Sequence, residues 1–164
     1  MINIAIIDDD ITFCDDFEEQ IKKIDNSYNT DCYYDINTFL ESVSSYNIAI
    51  IDIMLGKDNG IDIASAITEK YPNIKIIFIS VEQDFFQDVY SVNHLYFLVK
   101  PISNEQLKQA LSVCCSEINK QTLYTKLGSG TTAINLNDVS YFEENYRTLC
   151  QCAKANLKRT SKGH

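Results

Sequence analysis

The stretch INIAIIDDD (residues 2–10) decides the fold: a six-residue, nearly all-apolar run stops abruptly on Asp8, Asp9 and Asp10. Six residues is strand length, and apolar side chains on both faces belong to a strand covered on both sides. The figure repeats downstream. NIAIID (47–52) ends on Asp52, IKIIFIS (74–80) ends on Ser80, and LYFLV (95–99) runs into Lys100-Pro101. A shorter strand is expected at about 31–35.

Helical spacing fills the intervals. Ile11, Cys14, Phe17, Ile21 and Ile24 recur every three or four residues, one face of an amphipathic helix. Further helices are expected around Phe39, Leu40 and Val43, through Ile63, Ala64 and Ile67 before Pro72, and at about 83–92 with Phe85, Val89 and Val92. Ser103 followed by Gln106 predicts a capping box for a last helix carrying Leu107, Leu111, Cys115 and Ile118. Strands alternating with helices over residues 1–120 predict the α/β class, as a doubly wound five-stranded parallel sheet.

In such sheets ligands bind outside the carboxyl ends of the strands. Two strands there deliver acids, one a hydroxyl and one an ammonium. Hard carboxylate oxygens suit Mg²⁺. A divalent cation relieves clustered acids of their mutual repulsion, and a lysine can neutralise a transferring phosphoryl group. The plainer reading of each acid is a turn or helix cap, and Asp10, just before the first helix, fits that role. The convergence of these elements favours chemistry.

Bulk properties narrow the classes. An apolar content of 45% in 164 residues excludes a disordered chain and allows one well-cored domain with a remainder. The apolar runs reach about six residues, against roughly 18 for a membrane span, so no membrane role is expected. The N-terminus lacks a signal peptide's basic flank, so a cytoplasmic protein is expected. None of the six cysteines shows zinc-site spacing; free thiols are expected, with Cys150 and Cys152 as the one candidate redox pair. Residues 1–120 carry 20 acids against 8 bases and residues 121–164 carry 3 acids against 6 bases. That asymmetry hints at an anionic partner for the second segment alone.

Asp8-Asp9, Asp52, Ser80 and Lys100-Pro101, in this order and at these strand ends, resemble the receiver domain of two-component response regulators, over about residues 1–120. The resemblance implies a flavodoxin-like fold with Asp52 as phosphoacceptor from a sensor histidine kinase. Mg²⁺ would be held by Asp8, Asp9, Asp52 and the backbone carbonyl of Met54, with Ser80 and Lys100 as catalytic partners. It also implies a switch formed by Ser80 and Phe97, and a homodimer on phosphorylation through a face that includes Phe86, Tyr90 and Tyr96. Val81 stands where many receivers carry alanine, which implies narrower access. The rival reading, an aspartyl-phosphate phosphohydrolase, needs a general acid two residues after the nucleophile, where this chain has Met54. A phosphoacceptor rather than a turnover enzyme is therefore expected.

Beyond residue 120 the pattern changes to short β-like runs with turns, among them Gly128-Ser129-Gly130. INLNDVSYFEENYRTLCQCAKANLKR (134–159) resembles the opening strands of a LytTR-type DNA-binding domain, and SVEQDFFQDVYSVNHLYFLVKP (80–101) resembles receivers joined to one. Residues 121–164 are thus expected to be an incomplete all-β module whose family output is transcription regulation. Arg147, Lys154, Lys158 and Arg159 are its candidate DNA phosphate contacts. The alternative is a stand-alone receiver acting as an interaction or phosphate-relay module, with a merely solvated basic tail.

Overall fold

In the computed structural model, the described backbone comprises residues 1–82, 84–86, 88–120, 122–127, 130–135, 139–145 and 148–153; side chains are described up to residue 120, without 83, 86 and 87. The chain divides into two compact units, Met1–Ile118 and Asn119–His164.

In the first unit β1 (Asn3–Ile7), β2 (Asn29–Tyr33), β3 (Ile48–Asp52), β6 (Lys75–Ser80) and β7 (Tyr96–Val99) form one parallel sheet in the order β2-β1-β3-β6-β7. A two-stranded ribbon, β4 (Met54–Leu55) with β5 (Asp58–Asn59), follows β3. Helices α1 (Ile11–Ile24), α2 (Ile36–Leu40), α3 (Gly60–Lys70) and α4 (Asn104–Lys120) cover the faces. The sheet is the predicted doubly wound one, and the strand order reverses at β1, next to β3.

Strand alternation sorts the apolar residues into two cores. Ile4, Ile6, Ile50, Ile77, Ile79 and Leu98 face Phe17 and Ile21 of α1 and Leu107 and Leu111 of α4. Ala5, Ile7, Ala49, Ile51 and Phe78 face Phe39 of α2 and Ile61, Ala64 and Ile67 of α3. Both faces of β1, β3 and β6 are therefore dry, which is why their sequences run apolar without alternation.

Three elements differ from expectation: α2 stops at Leu40, and Val43, expected on it, opens a separate 3₁₀ turn, Val43–Ser45. The short second strand spans 29–33 rather than 31–35, because its register with β1 starts at Asn3 opposite Asn29. Asp35 is instead the N-cap of α2, accepting from the Asn37 and Thr38 backbone N–H groups. The helix expected at 83–92 is replaced by two 3₁₀ turns, Asp84–Phe86 and Asp88–Ser91. The local composition of Asp, Phe, Tyr and Val is poor helix-forming material. The Val92 N–H closes on the Val89 carbonyl at 3.1 Å, a three-residue step that suits 3₁₀ geometry.

In the second unit β8 (Thr122–Leu127) pairs antiparallel with β9 (Gly130–Asn135), and β10 (Val139–Asn145) with β11 (Thr148–Ala153). These are two antiparallel strand pairs. The four basic residues expected to meet DNA phosphate, Arg147, Lys154, Lys158 and Arg159, lie outside the described residues, as does the Phe86 side chain. Among the described residues no helix is long and apolar enough to cross a membrane.

Candidate functional site

Register alone gathers the site. Ile7 lies opposite Ile51, Asp52 opposite Ile79, and Ser80 opposite Val99. The residues at or just after these strand ends, Asp8, Asp52, Ser80 and Lys100, therefore reach the same carboxyl edge of the sheet.

At its centre stands the Lys100 ammonium, which donates to Asp8 Oδ2 at 2.5 Å and to Asp52 Oδ2 at 2.7 Å. All three side chains are largely withdrawn from water, at 14% exposure for Lys100, 1% for Asp8 and 6% for Asp52. The second oxygen of each acid is also used. Asp8 Oδ1 accepts the Asp10 N–H at 3.0 Å, and Asp52 Oδ1 accepts the Met54 N–H at 3.0 Å. The lysine main chain is anchored by its N–H to the Ser80 carbonyl at 2.8 Å, and the Lys100-Pro101 peptide is cis.

Burial pushes the Asp8 carboxyl above its ordinary value, against the pull of Lys100 and of the Asp10 N–H, and the Asp52 charge adds to the rise. Burial also opposes the Lys100 charge, but its bonds to Asp52 and Asp8 outweigh that and leave the ammonium above the usual lysine range. Two buried acids against one ammonium leave an excess of negative charge walled in by protein.

The remaining predicted residues are placed as follows. Asp9 is exposed, and its Oδ2 lies 3.6 Å from where a Cβ would stand on Gly56, whose φ is 57°. Asp9 thus hangs over the loop after Asp52, where any side chain at Gly56 would demand an unfavourable backbone. Met54 pairs with Asn59 across the β4–β5 ribbon. Ser80 is fully buried, and its Oγ accepts the Glu82 N–H at 3.1 Å, so the hydroxyl proton stays available for donation. Phe97 is half-buried against the core that holds Phe78 and Phe39, and Phe85 packs there too. Tyr90 is exposed and Tyr96 half-buried. Val81, exposed, lines a cavity of about 370 Å³ together with Phe13, Phe17, Lys100, Pro101 and Ile102.

Among the described residues no three His, Cys, Asp or Glu side chains converge as a ready-made metal centre. The donor chemistry nevertheless fits a hard divalent cation: two buried carboxylates share a single ammonium, and Asp9 stands over the loop that follows Asp52.

Two site residues escaped the sequence reading. Phe13 lies off the apolar stripe of α1, yet its ring touches Lys100. Gly60 opens α3, and a Cβ there would collide with the Asp52 backbone carbonyl. Gly60→Ala should therefore cost about 2 kcal/mol, the usual scale of overpacking against an unyielding neighbour, and should displace the Asp52 main chain. Urea unfolding measures the first effect, and the Asp52 amide shift in NMR measures the second.

Comparison with known proteins places this site in context. The profile of the response regulator receiver domain matches residues 4–112. The sensory transduction protein LytT of Bacillus cereus is 25% identical over 114 residues, covering 68% of this chain and 46% of that protein. LytT of Bacillus anthracis matches to the same extent, so the chain spans about half the length of these curated relatives. Among solved structures, a CheY-like receiver domain protein from Methanospirillum hungatei has a TM-score of 0.65 at 20% identity, covering 73% of this chain and 98% of its own. Response regulator TrrA of Thermotoga maritima, in complex with Mg(2+)-BeF, has a TM-score of 0.62 at 21% identity over 70% of this chain and 99% of its own. These two likenesses concern the fold.

Proposed function

Because this chain belongs to the response regulator receiver family, we propose that it accepts a phosphoryl group on Asp52 and relays the signal as a change of association and output. The observation that carries this is the Lys100 ammonium bonded at once to Asp8 and Asp52 on the carboxyl edge of the sheet. An oxygen of Asp52 attacks phosphorus, the P–N bond to a kinase histidine breaks, and the imidazole leaves with the electron pair. An acyl phosphate remains. Asp8, Asp9, Asp52 and the Met54 carbonyl would hold Mg²⁺, which when bound neutralises phosphoryl oxygens. Lys100 offers its charge to the same oxygens, and preorganised charge of this kind is the main lever in phosphoryl transfer.

The acceptor stage adds about −1.5 to −2 charges and three acceptor oxygens. Ser80 donates its hydroxyl to one of them, and Phe97 moves toward the space the serine leaves. The face carrying Tyr90 and Tyr96 then favours a homodimer. The likeness of residues 134–159 to LytTR-type domains supports DNA binding for transcription control as the output. Response regulators receive phosphate from sensor histidine kinases, which makes such a kinase the upstream partner.

The test is incubation with acetyl phosphate and Mg²⁺, read by intact mass and sizing chromatography. One phosphoryl adduct per chain is expected, and none where Mg²⁺ is chelated before the donor is added. A chain that stays unmodified with Mg²⁺ present overturns the reading. An adduct without any change in association overturns only the dimer switch.

A further inference from the structure

Phe13 sits in the first turn of α1, off the buried stripe of Cys14, Phe17 and Ile21. The Lys100 Nζ lies 4.0 Å from the centre of its ring, well inside the limit of about 6 Å within which a cation is held by an aromatic face. An ammonium has three N–H bonds. Asp8 and Asp52 take two of them, and the negative face of the ring meets the side of the ammonium that remains.

The ring is itself fixed. It stacks on the buried Phe17 with centroids 4.9 Å apart and planes 23° from parallel. Its backbone N–H donates to Asp10 Oδ1 at 3.1 Å, while the Asp10 N–H donates to Asp8 Oδ1 at 3.0 Å. Contacts therefore run in a closed circuit from Lys100 to Asp8, to Asp10, to Phe13 and back to Lys100. Phe13 and Lys100 also line the same cavity of about 370 Å³, so loss of the ring would open that cavity at the ammonium.

Building on the phosphoacceptor reading above, we propose that Phe13 is a positioning residue for phosphoryl transfer, its π-face holding the Lys100 ammonium at the Asp8 and Asp52 carboxylates. A lysine stem is flexible, with many rotamers available. Once Asp52 is phosphorylated, the negative charge that Lys100 follows moves outward onto the phosphoryl oxygens. The ring limits the arc through which the ammonium can swing. Leucine would fill the space at position 13 but offers a cation nothing.

The test separates the ring's electrostatics from its packing. Phenylalanines of increasing fluorination at position 13 drain the face of negative charge with little change of shape, and Phe13→Leu removes the face. Phosphoryl incorporation from acetyl phosphate with Mg²⁺ should slow stepwise along the series, by about three- to tenfold at its end. In a Lys100→Met background the dependence on fluorination should vanish, because the cation that the face holds is gone. Independently of any phosphorylation, NMR of the Lys100 ε-methylene should show upfield ring-current shifts that relax in Phe13→Leu. Rates indifferent to fluorination, a dependence that survives Lys100→Met, or unshifted Lys100 signals in the native protein each overturn the proposal. Failure of the native chain to take up phosphate with shifted Lys100 signals would instead sink the phosphoacceptor reading and leave the ring–ammonium contact standing.

Discussion

Asp52→Asn should take phosphoryl incorporation to background while leaving the protein folded. The amide is nearly isosteric with the carboxylate, and its one oxygen can turn to the Lys100 ammonium, giving up the bond from the Met54 N–H that Asp52 Oδ1 now holds at 3.0 Å. Lys100 keeps Asp8 as its partner. What is lost is the nucleophile, because an amide oxygen does not form a stable acyl phosphate. The electrostatics point the same way: the Asp52 charge contributes to raising the Asp8 carboxyl, so its removal relieves a repulsion between two buried acids. Unfolding midpoints of the native and variant proteins should therefore lie close together, or the variant's slightly higher. Intact mass after acetyl phosphate and Mg²⁺ reads the first effect and urea unfolding the second. A phosphoryl adduct persisting in the variant would move the acceptor to another residue, and the exposed Asp9 would be the first to examine.

The reason this pocket could be read from sequence is the two-sided burial of the central strands. Runs such as IAII in β1 and β3 stop where the chain leaves the sheet, so the first polar residue after each run marks the edge. Asp8, Asp52, Ser80 and Lys100 all stand at such boundaries. Helix caps were legible for the same reason of local chemistry: Ser103 and Gln106 form their expected reciprocal bonds at the start of α4. Residues whose role depends on what lies across the fold were not legible. Gly60 matters because the Asp52 carbonyl passes close by, and Phe13 because Lys100, 87 positions away, lands on its ring. The segment 83–92 failed as a helix prediction because apolar spacing at Phe85, Val89 and Val92 is met equally by successive 3₁₀ turns, which bury Val89 and Val92 all the same.

Lys100→Met should lower stability by about 3 kcal/mol at neutral pH, the scale expected when one member of a buried ionic cluster is removed and its partners are left without a counter-charge. Methionine matches the length of the lysine stem and its contact with Phe13, so packing is largely kept and the effect reports charge. Asp8 and Asp52 would then face each other in a low-dielectric pocket with no cation between them. Two consequences distinguish this from a simple cavity effect. In an Asp52→Asn background the same Lys100→Met change should cost clearly less, because only one acid is left without its counter-charge, and the two substitutions should therefore fail to add. Mg²⁺ should also stabilise Lys100→Met more than the native chain, since the cation replaces a charge the variant lacks, while chelator should restore the full deficit. Urea unfolding of the native protein, both single variants and the double variant, each with Mg²⁺ and with chelator, gives all of these quantities. Additive costs and equal Mg²⁺ responses would mean that Lys100 acts through its stem, and that the pairing with Asp8 and Asp52 contributes little to holding the pocket together.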